Sequence, residues 1–491
     1  MALRYALRTY GCQMNLHDSE KVANLLHHAG HREAPDEDAA DLLLINTCSI
    51  REKAENRLYS DLGALRAWKA ARPGRVLGVG GCVAQQEGDA VLRRFGHLDF
   101  VFGTHNLRLV PGMIEAAERG ERQSRTAEHR SLDRFDLPGR HADYAGATPG
   151  RAFVTVMEGC DMFCSFCIVP RTRGREISRP AAGILAEARS LAGRGVRELT
   201  LLGQTVNAYG RHDLRRGKAV AAGTMAFADL LRELARVPGI ERLRYTSPHP
   251  LFFDDALVAA HAEIPELCPH VHLPLQSGND RILGEMRRRY TAARYLEIAR
   301  RLQAARPGIA LTTDLIVGFP GETRSEFEDT LAVMREVGFT DAYSFKYSPR
   351  PGTAAAALSD RVDPEEAQDR LATLQSLQRS LTLAAHRRRV GEETVVLVEG
   401  LSARSPVGAG PRALVQLRGR DPGHRVVNFT VPAGSGAPRE GSLVTLRLVE
   451  ATPHSLIGER AQDRPGVKDP LRLVDGRRSA SPGPRTPGVV G

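Results

Sequence analysis

Glu158-Gly159-Cys160-Asp161-Met162-Phe163-Cys164-Ser165-Phe166-Cys167 is the stretch on which the reading of this chain turns. Its three cysteines, spaced C-x3-C-x2-C, follow a strand-like run, Arg151 to Met157, and precede a basic turn, Arg171 to Arg175. Three thiolates on one tight loop hold three corners of a cubane iron–sulfur cluster. An all-thiolate site needs four, so one iron is left open for another molecule. An open position separates a reactive metal site from a structural one. A zinc knuckle would want a fourth Cys or His close by, and the nearest histidines, His141 and His212, are distant. A disulfide would strand one thiol and requires an oxidising compartment. Spacing and neighbours together favour the cluster.

The 491 residues are enough for two or three domains with proper cores. Seven cysteines behind an N-terminus, MALRYALRTYGC, that is broken by Arg4 and Arg8 point to a reducing cytoplasm and to metal ligands. No apolar run approaches bilayer length, so a soluble protein with no membrane partner is expected. The net charge of +10 permits a polyanionic partner without requiring one. The stretch 462–491, with Lys and Arg in excess and a Ser-Pro-Gly-Pro segment, reads as a disordered basic tail.

Residues 1–119 alternate short buried strands (Arg4 to Thr9, Leu42 to Ile45, Val76 to Val79, Phe100 to Phe102) with helices (Asp18 to Ala29, Glu52 to Ala71, Ala84 to Phe95, Leu107 to Glu118). This is the pattern of a parallel open-sheet α/β domain. Cys12, Cys48 and Cys82 each follow one of the first three strands. Parallel strands end on one edge, where ligands collect, so these three thiols converge in space although they are scattered in sequence. Buried core thiols are the plain alternative; equivalent placement at successive strand ends favours a second three-thiolate cluster. Residues 120–149 lose periodicity and read as a linker.

Residues 150–385 hold six further strand–helix units, a partial (βα)6 barrel resembling the TIM type, whose chemistry belongs at the carboxyl ends of the strands. The loops Gly203 to Asn207, Ser247 to His249, Pro274 to Gly278 and Gly318 to Glu322 lie at those ends, although Gly and Pro there also serve ordinary turns. His249, between two prolines, reads as structural, and Cys268 as a plain core thiol. Pro364 to Arg389 reads as one long helix. Residues 386–461 change to a period of two, giving five short strands and a small all-β barrel. Arg404, Arg412, Arg418, Arg420 and Arg425 on this barrel are candidate RNA phosphate contacts. With Phe429 its only aromatic, charge would dominate such binding.

Two cysteine trios, one per α/β domain, followed by a basic barrel, resemble the methylthiotransferase branch of the radical S-adenosylmethionine (SAM) enzymes. The likeness runs from Arg8 to about Glu459. Tyr10-Gly11-Cys12-Gln13-Met14-Asn15, Asn46 to Ala54 and Gly81-Cys82-Val83-Ala84-Gln85 are similar to the members that act on isopentenylated adenosine in tRNA. So are Pro170 to Arg179, His272 to Gly278, Asp314 to Thr323 and Tyr347 to Thr353, and the final barrel resembles the TRAM RNA-binding domain. The resemblance implies two [4Fe-4S] clusters, one on Cys12, Cys48 and Cys82 that provides sulfur, the other on Cys160, Cys164 and Cys167 where SAM is cleaved to a 5'-deoxyadenosyl radical. It further implies methylthiolation at C2 of N6-isopentenyladenosine beside the anticodon (position 37), an electron donor such as flavodoxin, and a monomer. Candidate SAM or substrate contacts are Arg173, Glu176, Arg179, Gln204, Asn207 and Gln276.

Thr205 departs from the Asn usual in the family, and Ser405 to Gly410 and the turn Asp421-Pro422-Gly423-His424 are unusual; these departures bear on RNA contacts. Rival readings are a sister methylthiotransferase acting on threonylcarbamoyladenosine in tRNA or on a ribosomal-protein aspartate, and a non-catalytic metal-dependent RNA-binding protein.

Overall fold

The computed structural model describes residues 2–49, 52–129, 131–144, 146, 149–218, 222–403, 405, 414–434 and 436–460. The expected tail and the segment from Pro406 to Gly410 lie outside them. The N-terminal sheet contains β1 (Arg4–Thr9), β2 (Arg32–Glu33), β3 (Leu42–Thr47), β4 (Val76–Gly81), β5 (Phe100–Phe102) and β6 (Gln123–Arg125), all parallel, in the order β2-β1-β3-β4-β5-β6. Strands β3 and β4 are buried along their whole length, which is why they read as unbroken apolar runs. Leu42, Leu44 and Phe100 pack one face against Val22 and Leu26, while Leu43, Ile45 and Val79 pack the other against Leu58 and Leu62. The strand order reverses between β1 and β3, the switch point at which an open sheet leaves a crevice at its carboxyl edge.

Two expectations change here. The helix expected over Ala84 to Phe95 is broken at Gly88 (φ 47°) into Cys82–Glu87 and Asp89–Arg94. The stretch expected as a linker contributes β6 and a 3-10 turn, Leu132–Phe135, and is stitched down at several points. The Asn24 amide donates to the carbonyls of Pro138 (3.0 Å) and Gly139 (3.2 Å), and Arg194 donates to that of Arg140 (3.0 Å).

In the second unit β7 (Arg151–Thr155) is followed by β8 (Met157–Glu158), which pairs antiparallel with β9 (Ile177–Ser178). That short ladder closes the neck of the cysteine loop. Then come β10 (Glu198–Leu202), β11 (Arg242–Tyr245), β12 (His270–His272), β13 (Ala310–Val317) and β14 (Asp341–Lys346). With β7 they form two three-stranded parallel groups, β7-β10-β11 and β12-β13-β14, joined by a bridge between Leu243 and Leu267. The outward residues Val154, Leu199, Leu243, Val271 and Leu315 share one core with the surrounding helices, each full burial stabilising by about 1.5–3 kcal/mol. Helix Ala292–Ala305, capped by the Thr291 hydroxyl, turns Tyr295, Ile298 and Leu302 into that core, as their spacing predicts.

Strands β15 (Glu393–Leu401), β16 (Leu414–Arg420), β17 (Val426–Pro432), β18 (Leu443–Ala451) and β19 (Leu456–Arg460) close a small barrel around Val396, Val398, Phe429 and Leu446. The unusual turn after β16 has a structural purpose: it plugs the amino-terminal mouth of the half-barrel. Arg244 donates to the carbonyls of Pro422 (2.8 Å) and Asp421 (2.9 Å), and Arg242 to that of Arg420 (3.2 Å). Glu198 neutralises both arginines, and the His424 ring lies 5.1 Å from that of His270. Asp421, fully buried, accepts from the Arg425 backbone (2.8 Å) and from the side chains of Arg425 (3.1 Å) and Arg389 (3.2 Å). Asp421→Ala leaves Arg425 as an uncompensated buried cation. It should lower stability by about 3–5 kcal/mol in urea unfolding, with Asp421→Asn losing less.

Candidate metal centres and active site

The first trio is assembled by backbone geometry. Cys12, Cys48 and Cys82 directly follow or closely trail β1, β3 and β4, three neighbouring strands that flank the switch point. Gly11 (φ 120°) passes so near the second loop that a Cβ there would lie 2.3 Å from Cys48 Cβ. A Cβ on Gly81 (φ 97°) would lie 2.3 Å from the Asn46 side-chain oxygen, so glycine is required at both positions. Asn15 donates to Asn46 Oδ1 (3.2 Å) and to the Thr47 carbonyl (2.9 Å), while Asn46 donates back to the Asn15 carbonyl (2.8 Å). These amides lock the Tyr10–Asn15 and Asn46–Cys48 motifs together.

Cys12 caps helix Gln13–His28 and is held at about 6 by a hydrogen bond from the Cys48 thiol, burial opposing and the Arg173 cation assisting. Cys82 opens helix Cys82–Glu87; burial pushes its thiol up, partly offset by Arg173. Arg173 is buried with Nη1 2.6 Å from Asp18 Oδ2, yet its terminal nitrogens and both Asp18 oxygens lack a well-directed hydrogen bond. The buried hydroxyls of Thr47 and Ser49 also lack partners. Soft thiol donors, a facing cation and unsatisfied polar atoms fit an anionic, sulfur-rich group.

The second trio sits on the loop whose neck β8 and β9 close. Gln204 Oε1 accepts from the Gly159 amide (2.5 Å), and the Cys160 amide donates to the Gly174 carbonyl (3.1 Å). Cys160 Sγ is 3.1 Å from the Thr205 hydroxyl, and Arg288 donates to Cys164 Sγ (3.3 Å). Phe163 takes φ 49°, a left-handed conformation rare for an aromatic, and is exposed between Cys160 and Cys164. Burial, then Cys164 and Cys160 as neighbours, push Cys167 up to about 12. Burial also raises the Cys160 thiol, and bound iron would supply the positive charge that favours both thiolates. Among the described residues no three His, Cys, Asp or Glu side chains converge as ligands of a single ion would.

One short segment serves both trios. Helix Val169–Thr172 follows Cys167 and packs on helix Cys82–Glu87, and the Thr104 hydroxyl donates to the Thr172 carbonyl (2.5 Å). Arg173, next in line, faces Cys12 and Cys82. Lys21 (3.4 Å) and Arg134 (2.6 Å) reach Glu158, which they and Arg173 hold at about 2 despite burial.

The other expected site residues divide. Arg173 lies beside Cys12 and Cys82 of the first trio. Asn207 spends its amide on the His249 backbone, accepting at 2.8 Å and donating at 3.0 Å. Arg179 pairs with Glu187 and the Thr155 carbonyl. Gln204 anchors the cysteine loop. Gln276 is buried at φ 74°, knitted to β13 through its backbone. Burial, with Asp161 and Asp213 nearby, pushes Glu176 up to about 8. Thr205, the departure noted in the sequence, meets the Cys160 thiol. On the small barrel, Arg418 is exposed, Arg420 is paired with Glu399 (3.1 Å) and partly exposed, and Arg425 is buried on Asp421. Arg404 and Arg412 lie outside the described residues. Asp18, Glu158 and Arg288 were not singled out from the sequence; nothing in their local pattern distinguishes them from surface charge.

A doubly wound sheet with strand-end cysteines, joined to a half-barrel with a C-x3-C-x2-C loop, is the architecture of a radical SAM enzyme. Residues 4–103 match the uncharacterized protein family UPF0004, and residues 154–334 match the radical SAM superfamily. The solved radical S-adenosylmethionine methyltransferase TsrM of Kitasatospora setae shares the fold with a TM-score of 0.52 at 14% identity, over 84% of this chain and 80% of that one. A tRNA-2-methylthio-N(6)-dimethylallyladenosine synthase from Geobacter metallireducens is 49% identical over 456 residues, covering 93% of this chain and 98% of its own. The synthase of the same name from Nocardia farcinica is 45% identical over 462 residues, covering 93% and 89%. The chain belongs to the tRNA-2-methylthio-N(6)-dimethylallyladenosine synthase family.

If each trio holds its own cluster, Cys164→Ala and Cys12→Ala should each lose about four irons of about eight in anaerobically reconstituted protein. Loss of all iron in either variant, with the fold intact by circular dichroism, would contradict two separate centres.

Proposed function

We propose that this protein methylthiolates C2 of N6-isopentenyladenosine at position 37 of tRNA, using two [4Fe-4S] clusters and SAM. The observation that carries the reading is the single segment running from Cys167 to Arg173, which contributes a ligand to one trio and a cation to the other. The C2–H bond of adenine is neither acidic nor activated for displacement, so side-chain acid–base chemistry alone would face a prohibitive barrier. Cys160, Cys164 and Cys167 would hold the cluster that, with SAM, would supply a carbon radical, and Cys12, Cys48 and Cys82 would hold the one that would supply the sulfur.

The protein's own part is placement. Gln204 and the β8–β9 neck orient the cysteine loop, and Arg288 places a positive charge on Cys164. Asp18 holds Arg173 against the first trio. Glu176 and Gln276 remain candidates for contact with SAM or the base. The plugging turn closes the amino-terminal end of the half-barrel, and the cysteine loop of the second trio follows its first strand at the carboxyl end. On the small barrel, exposed Arg418 is placed for a phosphate, so Arg418→Ala should reduce the salt dependence of tRNA binding by about one unit of slope. The working form is a cytoplasmic monomer reduced by a flavodoxin-like donor.

Nucleoside mass spectrometry of tRNA tests the assignment. A strain lacking this gene should lose methylthio-isopentenyladenosine and accumulate isopentenyladenosine. Unchanged methylthio-isopentenyladenosine would remove the substrate, and loss of methylthio-threonylcarbamoyladenosine instead would assign a sister activity. Purified Cys12→Ala should form 5'-deoxyadenosine without methylthiolated product, whereas Cys164→Ala should form neither.

A further inference from the structure

The sheet β12-β13-β14 has two unlike faces. Its outer residues, Val271, Leu311, Leu315 and Val317, are buried in the shared core. Its inner row is set by register, with His272 beside Thr312, Asp314 beside Tyr343, and Ile316 beside Phe345. Ser344, on the opposite side of β14 from Tyr343, meets Gln375 of helix Pro364–Arg387 (3.4 Å), so Tyr343 and Phe345 point into the half-barrel. The ring contact of Tyr343 with His272, at 5.9 Å, agrees.

Both aromatics are unusually open for an inward face, Tyr343 at 51% and Phe345 at 41% exposure. They follow one another on the same side of the last strand. The floor beneath is closed by the turn at Asp421 to Arg425. Toward the cysteine loop, Ile316 and Phe166 pack on the same small cluster, Ile282, Met286 and Phe319. Phe345, level with Ile316, therefore stands nearest the second trio. Beside the rings, His272 Nε2 lies 3.2 Å from Asp314 Oδ2 and its Nδ1 lies 3.0 Å from the Thr312 hydroxyl. Asp314 is fixed by that ring while its side chain stays 31% exposed.

Building on the function proposed above, we infer that Tyr343, Phe345 and Asp314 form the seat of the prenylated adenine. A planar base and a branched apolar chain suit two aromatic faces. N6-alkylated adenine keeps one N–H, which a carboxylate fixed beside those faces accepts. SAM, with a sulfonium, an ammonium and a carboxylate, suits the polar strand-end loops better than this stripe.

The test uses full-length reconstituted enzyme and anticodon stem-loop RNA carrying either isopentenyladenosine or adenosine, with affinities read by fluorescence anisotropy. Tyr343→Ala and Phe345→Ala should each cut the preference for the prenylated RNA about tenfold, and Asp314→Asn should weaken it without changing side-chain size. Binding of SAM by equilibrium dialysis, iron content and the melting curve should match the parent. If the parent's preference survives all three substitutions in folded protein, the seat is elsewhere. Weakened SAM binding with the RNA preference intact would assign the stripe to SAM and overturn the inference. A parent enzyme with no preference for prenylated RNA would overturn the functional reading and this inference with it.

Discussion

Charge buried between two sheets holds this molecule in its working shape. Lys21 and Arg134 converge on Glu158, and Arg173 reaches Asp18, so the helix after Cys12 and the strand before Cys160 are bound through side chains that have left water. Such pairs add little net stability, because desolvation offsets most of the attraction, but breaking one leaves an unpaired buried ion at several kcal/mol. Their value is geometric. They permit one docking of the two domains, and that docking turns the carboxyl edges of both sheets toward the segment from Cys167 to Arg173.

The opposite end of the half-barrel obeys the same rule. Arg242 and Arg244 point inward where a closed barrel would carry apolar layers, and they are satisfied by Glu198 and by backbone carbonyls of the turn that the small barrel inserts. The turn Asp421 to His424, unusual in sequence, closes the amino-terminal end of the half-barrel. The small barrel thus has two duties, offering an exposed arginine to solvent and sealing the chamber from below.

Much of the architecture was legible from the chain alone. The apolar runs of β3 and β4, the alternation in the small barrel and the Tyr295, Ile298, Leu302 stripe each follow from periodicity, which local sterics enforce. Boundaries were less legible: Gly88 broke a helix that the apolar pattern carried through, and the stretch before Arg151 was stitched down by side-chain bonds to carbonyls that no pattern announces. Polar partners were the least legible: Asn207 meets the His249 backbone, Arg179 meets Glu187 and the Thr155 carbonyl, and Gln204 Oε1 accepts from the Gly159 amide, pairings that no local pattern announces. Arg420 and Arg425, chosen for charge, are each paired with a carboxylate of the small barrel itself.

The sequence by itself determined the two cysteine trios and the strand ends that present them, because thiol spacing and strand periodicity are local properties of the chain. Tertiary structure alone decided which charged residues meet those cysteines, which arginines face solvent, and that Tyr343 and Phe345 look into the chamber. Those outcomes depend on contacts between residues more than a hundred positions apart, such as Arg173 with Asp18 and Arg244 with Asp421, and no local pattern encodes the partner of a buried charge.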